Sequence, residues 1–213
     1  MAWLPAIALA GCVIGARAVK EPPPSDDTVV ALLSGTLGPP LNDIARHPWF
    51  AVRRKGEQEW RVYETPSNGI ERDPFREHHP YRNPIVHKIW RGAEAERGAA
   101  CLEREAGPWN ERLSYRFFPG PNSNTFGDVM LRKCKLRASL PSTAIGKDWR
   151  GAIGGGVTSE GTGLQIETPI IGLKVGLKEG VELHVLGLSI GIDLWPPAII
   201  LPLGPGRLGI ADR

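Results

Sequence analysis

The chain lacks the features that mark several common classes of protein. Its 213 residues carry 26 basic and 23 acidic side chains, so the formal net charge is only +3 and neither sign of charge dominates. No basic stripe with interleaved aromatic residues is present, and we therefore expect no nucleic-acid partner. The three cysteines, Cys12, Cys101 and Cys134, are widely spaced and include no Cys-x-x-Cys pair. Their pattern predicts neither a zinc site nor a disulfide framework.

The histidines also lack a metal-binding spacing. Glu77, His78, His79 and His87 fall within residues 66–91, a stretch crowded with Pro, Asn and Arg. They match no ligand motif, and the adjacent His78 and His79 would point to opposite sides of a strand. We therefore expect no metal and no cofactor, and we interpret residues 66–91 as a long surface excursion.

The uncharged run at the N-terminus, Met1–Ala16, is shorter than the roughly 20 residues that a membrane-spanning helix needs. Its length fits the apolar region of a secretory signal. Leu9-Ala10-Gly11-Cys12 resembles a bacterial lipobox in which Cys12 would be lipidated. Ala16-Arg17-Ala18 instead fits ordinary signal cleavage. The remaining alternatives are an uncleaved apolar tail and a truncated membrane anchor. With its Pro-rich linker, residues 1–27 predict an exported or envelope-associated protein that meets a membrane surface through its N-terminus.

Residues 28–64 predict three strands. An apolar run over 28–33 indicates a buried strand, and residues 47–54 and 60–64 indicate a hairpin around a Lys55-Gly56 turn. Trp60, Val62 and Glu64 would share one face of the second hairpin strand. Glu64 could then orient the imidazole of His47 on the neighbouring strand; otherwise both are ordinary polar residues at strand ends.

The stretch Gly120-Pro121-Asn122-Ser123-Asn124-Thr125-Phe126 predicts a turn followed by a helix that runs to Lys133. An earlier helix is expected over 93–104, with Cys101 as a packing residue, and the aromatic run 115–118 indicates a strand. Ser123 would sit at the helix N-terminus, where unpaired N–H groups favour an anion or a nucleophile. The alternative is a helix cap, since Thr125 and Asp128 imitate a capping box.

Residues 151–213 contain 14 of the 26 glycines and alternate apolar with polar side chains. The alternation predicts a β-meander, with a bulge or tight bend at Leu186-Gly187 where its phase slips. His184 falls on the polar side of this pattern, and we expect it to be exposed.

Three segments together resemble an uncharacterised bacterial family, the domain of unknown function numbered 3750. They are His47-Pro48-Trp49, the Gly120–Phe126 heptapeptide and Ala144-Ile145-Gly146-Lys147-Asp148-Trp149, followed by the Gly-rich tail. The resemblance covers roughly residues 28–210. That family has no assigned activity, so the resemblance implies no function.

A more distant resemblance is to the PPPDE thiol peptidases and the lecithin retinol acyltransferase group, which share a circularly permuted papain-like fold. In them a strand histidine precedes a helix that begins within Asn-Cys-Asn-Thr-Phe, and Asn122-Ser123-Asn124-Thr125-Phe126 differs only by Ser for Cys. The resemblance implies Ser123 as nucleophile and His47 as base. Glu64 is a candidate orienting residue by strand order alone, and the other cleft residues would be Asn122, Asn124 and Thr125.

These observations predict an α+β fold: a circularly permuted papain-like core over 28–150, with a Gly-rich antiparallel β layer over 151–213 packed on it. A serine hydroxyl is far less acidic than a thiol, which removes the ion-pair mechanism of the thiol enzymes. We therefore expect a catalytically silent binding module for an amide- or acyl-containing ligand. The alternative is a Ser/His hydrolase or acyltransferase acting on an amide, ester or thioester. The sequence identifies no particular ligand and no oligomeric state.

Overall fold

The computed structural model describes residues 21–22, 26–41, 44–66, 68–71, 73–76, 78–204 and 206–210. Within these residues the chain forms two helices and two antiparallel sheets, which confirms the α+β class. The predicted signal or anchor segment, including Cys12, lies outside the described residues. In the part of the chain that is described, neither helix combines the length and the hydropathy needed to cross a membrane.

The first sheet has five strands: β1 (Val29–Thr36), β2 (Arg46–Arg53), β3 (Trp60–Tyr63), β4 (Gly69–Glu71) and β5 (Arg82–Arg91). Their order is β4-β3-β2-β1-β5. The strand predicted at 28–33 and the hairpin predicted at 47–64 are both confirmed, with Leu32 opposite Phe50 and Phe50 opposite Tyr63.

The prediction of a surface excursion over 66–91 was wrong. This stretch supplies β4 and the ten-residue β5, which pairs along β1 with Val30 opposite Trp90. The sequence obscures β5 because Pro84 interrupts it, and proline is tolerated in a strand only at a sheet edge. β5 is an edge strand, so the missing N–H of Pro84 breaks no central ladder.

Both faces of the first sheet are buried. One face is covered by the helices and carries Val30, Leu32, Phe50, Val52 and Tyr63. The alternate residues of the same strands form the other face and pack with Phe75 and Tyr81. This second face carries Val29, Ala31, Leu33, Trp49, Ala51, Trp60 and Val62, with Phe75 packed on it. Burial on two sides explains why β1 is a continuous apolar run and not an alternating one.

The two helices are α1 (Gly92–Arg112) and α2 (Ser123–Cys134), and a disulfide joins Cys101 to Cys134. The prediction that Cys101 packs in the core is confirmed, because it is 7% exposed within the helix-side cluster. The disulfide contradicts the expectation that the cysteines form no disulfide framework. Helix packing brings the two Cα atoms within 5.4 Å across a sequence separation of 33 residues. Spacing along the chain cannot reveal such a pair, and the odd cysteine is Cys12.

The aromatic run 115–118 is not a strand, contrary to the sequence-based expectation. Tyr115, Phe117 and Phe118 belong to an irregular connection between the helices and are 48%, 62% and 48% exposed. Pro119 and Pro121 follow them and carry no N–H, so this segment is poorly suited to join a ladder.

The second sheet is the predicted meander, with seven strands in sequential order. They are β6 (Gly154–Val157), β7 (Gly163–Glu167), β8 (Ile171–Gly176), β9 (Gly180–Val185), β10 (Leu188–Leu194), β11 (Pro197–Ile200) and β12 (Arg207–Gly209). The tight bend predicted at Leu186-Gly187 is confirmed: both residues have positive φ, 50° and 75°, as a two-residue hairpin turn requires.

The two faces of this sheet are inverted relative to an ordinary globular protein. The polar residues point inward, and His184, which the sequence predicts to be exposed, is only 2% exposed. The aliphatic residues point outward and are half-exposed. The inward face is covered by the loop before β6: Ser142 Oγ donates to the carbonyl oxygens of Leu201 and Gly206, each at 2.8 Å. Alternation shows which residues share a face, but not which face is covered.

Candidate functional site

The heptapeptide motif forms the start of α2, and its cap is Asn122. The Asn122 side-chain oxygen accepts from the backbone N–H groups of Asn124 (2.9 Å) and Thr125 (3.1 Å). In return, Thr125 Oγ1 accepts from the Asn122 backbone N–H at 3.1 Å, which completes a capping box. The expectation that Thr125 and Asp128 form the box was wrong; the box begins three residues earlier.

The same residues attach α2 to the loop that contains the second sequence motif. Asn122 Nδ2 and Asn124 Nδ2 both donate to the Ile145 carbonyl oxygen, at 3.0 Å and 2.8 Å. Thr125 Oγ1 donates to the Gly146 carbonyl oxygen at 2.7 Å. Gly146 has φ of +86°, and a Cβ there would lie only 2.5 Å from Asn122 Nδ2, so glycine is required. The two motifs are therefore the two halves of one contact.

His47 and Glu64 come together as the sequence predicts. His47 Nε2 lies 2.6 Å from Glu64 Oε2, and the imidazole stacks on Tyr81 with ring centroids 3.8 Å apart. His78 extends the network, with Nε2 at 3.0 Å from Glu64 Oε2 and Nδ1 at 2.7 Å from Glu71 Oε1. The sequence suggests His78 only as a candidate metal ligand. It does not predict this role, because the neighbours of His78 come from three separate segments.

The charge states in this network follow from burial and partners. Burial lowers the pKa of His47, and the hydrogen bond with Glu64 offsets only part of that effect. Burial works in the same direction on His78, but its two carboxylate partners outweigh burial and raise its pKa. For Glu64, burial is opposed by hydrogen bonds with both imidazoles, which lower its pKa. Glu64 is thus held as a carboxylate between two imidazoles.

Ser123 does not join this network. It is buried, and within the described residues its side chain makes no hydrogen bond to His47 or to any other group. Trp49 lies on the sheet face away from the helices, and His47, two residues before it, shares that face. The helix α2 packs on the opposite face, where Phe126 meets Phe50 edge-on. The pairing of Ser123 with His47 therefore stays a prediction, without a contact to support it.

A cleft of about 610 Å³ opens between α1, α2 and the 149–155 segment; we call it the α1–α2 cleft. Trp109 and Trp149 provide its apolar walls, and Thr125 is the one predicted cleft residue that lines it. Its charged lining consists of Glu105, Arg112, Arg132, Lys133 and Arg150. Positive charge is in excess here, in a protein whose overall charge is near balance.

Three of these side chains are already paired. Lys133 Nζ lies 3.0 Å from Glu105, and Arg132 Nε lies 2.8 Å from Asp128. Arg150 is different because its side chain is only 5% exposed, yet its Nε has no hydrogen-bond partner in the described part of the chain. One terminal nitrogen of Arg150 donates to Gln165 at 2.7 Å. Burial lowers the pKa of Arg150, although Asp128 works to keep the guanidinium charged.

A second polar cluster, which the sequence does not predict, lies beneath the seven-stranded sheet. Asp148 bonds both Lys147 and Lys174, the latter at 3.0 Å, and Lys174 also meets Glu182 at 3.4 Å. His184 Nδ1 lies 2.5 Å from Glu167 Oε1. The two lysines hold the pKa of Asp148 well below its usual range despite complete burial. Alternation had revealed that Lys174, Glu182 and His184 share a face, but not that the face is buried.

Within this cluster, Asp148, Glu167 and His184 offer ligand atoms within 4.8 Å of one another. Two ammonium groups already neutralise the carboxylates there, and Gln165 Nε2 donates to Asp148 at 3.0 Å and to Glu167 at 2.7 Å. A cation would have to displace these partners. The arrangement is that of a compensated structural network.

The fold and site define an α+β protein whose two sequence motifs build one helix-to-loop contact. The chain matches the model of the family described as "Protein of unknown function (DUF3750)" over residues 27–149, and it belongs to that family. No curated protein and no solved structure matches the chain.

Proposed function

We propose that this chain is an envelope-associated binding protein, without catalytic activity, whose ligand occupies the α1–α2 cleft. The observation that carries the proposal is Arg150, which lines the cleft and whose buried Nε has no hydrogen-bond partner among the described residues. Unpartnered buried donors are costly, and native proteins retain few of them. A ligand oxygen that accepts from Arg150 Nε would remove that cost.

The rest of the lining indicates the chemistry of the ligand. Trp109 and Trp149 offer apolar surface for an acyl chain, and Arg112, which is exposed and has no carboxylate partner in the described region, offers a cation at the cleft mouth. These features fit an amphipathic molecule with an acyl or amide body and an anionic group.

Export is part of this proposal. The disulfide between Cys101 and Cys134 is typical of proteins that fold in an oxidising compartment. The uncharged N-terminal run points in the same direction. The papain-like relationship is likewise proposed: a strand bearing His47 precedes a helix that begins at Ser123 and packs on that strand through Phe126.

Binding of N-dodecanoylglycine, measured by isothermal titration calorimetry, tests the proposal. This probe combines an acyl chain, an amide and a carboxylate. Replacing Arg150→Met should weaken binding at least about tenfold, because a charge-assisted hydrogen bond is lost. Arg112→Met, at an exposed position, should weaken binding without altering the fold. Arg76→Met, 79% exposed and far from the cleft, is the matched control and should have no effect. Failure of the unmodified chain to bind, or equal binding by all variants, would reject the proposal.

The Ser/His hydrolase is the second candidate, and the 2.6 Å contact between His47 and Glu64 favours it because the imidazole is already oriented. A Ser123→Cys variant tests it. Labelling of the introduced thiol by a thiol-directed acyl probe should then depend on His47, and loss of labelling in the added His47→Ala variant would support the hydrolase. Equal labelling with and without His47 would reject the hydrolase as a candidate function.

A further inference from the structure

The outward face of the seven-stranded sheet is a continuous aliphatic surface. One row of directly opposed residues crosses all seven strands, from Val157 on β6 to Leu208 on β12. We call the whole set the aliphatic face: Val157, Leu164, Ile166, Ile171, Leu173, Val175, Val181, Leu183, Val185, Ile190, Ile192, Leu194, Ile199 and Leu208. Exposure within it runs from 40% at Leu183 to 68% at Leu164. None of the described strand residues on this side carries a charge.

Such a face is unusual on a protein surface. Six strand spacings of about 4.8 Å and a strand length of about 17 Å give a flat footprint of roughly 500 Å². Apolar patches of this size mark interaction sites. The charges that would normally make this side soluble are instead buried on the other side of the same strands, as at Lys174 and Glu182.

We propose that the aliphatic face binds the same face of a second copy of this chain, with the two sheets stacked about a two-fold axis. In such an arrangement every residue near the axis meets its own copy, so any charge would face a like charge. The absence of charge from the face removes that obstacle. Two flat sheets with interlocking aliphatic side chains pack about 10 Å apart, as in the interior of a β-sandwich.

The area of the aliphatic face is also large enough for a stable dimer interface. The footprint, once the relief of the side chains and the rim residues Ile170 and Leu177 are added, approaches the roughly 800 Å² per partner of a stable protein–protein interface. Ile170 and Leu177 are 66% and 78% exposed. The contact would be more apolar than most, as the interfaces of permanent homodimers are.

A lipid surface fits less well. Peripheral membrane proteins hold anionic headgroups with basic residues around the apolar region. Here Lys174 is buried, Lys178 pairs with Glu160 at 3.3 Å, and Arg207 pairs with Asp193 at 2.9 Å. Residues 151–213 carry 4 basic and 6 acidic side chains in all, so the region does not attract anionic lipid.

A charge-exchange experiment on Leu183 tests the proposal. β9 is the central strand of the seven, and Leu183 lies in its middle. In the full chain with Cys12→Ser, which prevents a Cys12 cross-link, sedimentation equilibrium should give the mass of a dimer. Leu183→Lys alone and Leu183→Glu alone should each weaken dimerisation by more than about 100-fold, through repulsion and burial of charge. An equimolar mixture of the two variants should restore the dimer.

Ile70→Lys is the matched control, because Ile70 is a 66% exposed aliphatic residue on β4 of the other sheet. It should remain dimeric, and circular dichroism should show that all variants stay folded. A monomeric parent protein at every concentration would overturn the proposal, as would a dimer that Leu183→Lys leaves intact or a mixture that stays monomeric. Binding of a monomer to phosphatidylglycerol vesicles, lost in Leu183→Lys, would overturn it in favour of lipid.

Discussion

The two sheets of this protein obey the same alternation of side chains but bury opposite chemistry. In the five-stranded sheet both faces bury mainly apolar side chains, one beneath the helices and the other with Phe75 and Tyr81 packed on it. In the seven-stranded sheet the covered face holds lysines, carboxylates and His184, while the open face is aliphatic. Burial of charge is possible there because the charges compensate one another. The comparison shows that a buried face need not be the apolar one when a polar network is complete.

The compensated network can be broken at its centre. Asp148→Ala removes the shared partner of Lys147 and Lys174 and leaves two buried ammonium groups with Glu182 alone. We expect the free energy of unfolding to fall by about 3–5 kcal/mol, measured by urea denaturation. The matched control is Glu57→Ala, which removes an exposed ion pair with Arg61 of the first sheet and should cost less than about 1 kcal/mol. Equal effects of the two substitutions would mean that the cluster is solvated.

The first sheet should depend instead on its helical cover. Replacing both Cys101 and Cys134 by Ala opens the loop between α1 and α2, and the free energy of unfolding should fall by about 3–4 kcal/mol for a loop of this length. Cys12→Ser should change nothing. A reductant should destabilise the parent protein but not the double variant. If alkylation labels all three cysteines of the folded, unreduced protein, the disulfide does not form.

The pH dependence of stability should distinguish the buried charged face from an exposed one. Burial opposes the charge on His184, but Asp148, Glu167 and Glu182 outweigh burial and raise its pKa above the unfolded value of about 6.5. The stabilisation is therefore complete below about pH 6.5 and is lost as the pH rises through the folded pKa. His184→Gln should reduce the free energy of unfolding more at pH 6 than at pH 9. The difference should equal the stabilisation that the raised pKa of His184 contributes when its imidazole is protonated. A difference that does not change with pH would show that His184 is not charged in the folded protein.

The smallest expected effect concerns the motif at the start of α2, and it separates a cap from a nucleophile. Asn122→Ala should lower the free energy of unfolding by about 1 kcal/mol through loss of the cap, and by more if the bonds to Phe117 and Ile145 also count. Ser123→Ala, at the neighbouring position, should leave stability almost unchanged because its side chain makes no hydrogen bond in the described structure. Thermal denaturation of the pair is sufficient. A larger loss of stability for Ser123→Ala than for Asn122→Ala would give Ser123 a structural role that its contacts do not show.

Local patterns predicted most of the elements correctly. The apolar run of β1, the hairpin of β2 and β3, the start of α2 and the meander over 151–213 all depend on neighbouring residues. The sequence does not predict β5 because Pro84 interrupts its strand pattern. It predicts a strand over 115–118 that does not form, because aromatic content favours a strand even where no partner strand is available.

The site was harder to predict for a different reason. The contact of His47 with Glu64 follows from adjacent strands, so strand order was enough. His78, the Cys101–Cys134 bond and the salt bridge between Asp148 and Lys174 join segments that are distant in the chain. Periodicity carries no information on such pairs. The cap at Asn122 was within reach, since Asn is among the preferred cap residues and Thr125 lies three positions later.

The central claim, that the seven-stranded sheet buries its charges and exposes its aliphatic side, is tested most directly by two adjacent residues of β9. Glu182 is 7% exposed and Leu183 is 40% exposed. Each is replaced by Gln, and urea denaturation is followed in protein dilute enough that dimerisation does not contribute. We predict a clear loss of stability for Glu182→Gln, because it removes the ion pair between Glu182 and the buried Lys174. Leu183→Gln should change stability little. Loss at Leu183 with none at Glu182 would mean that the sheet faces the other way.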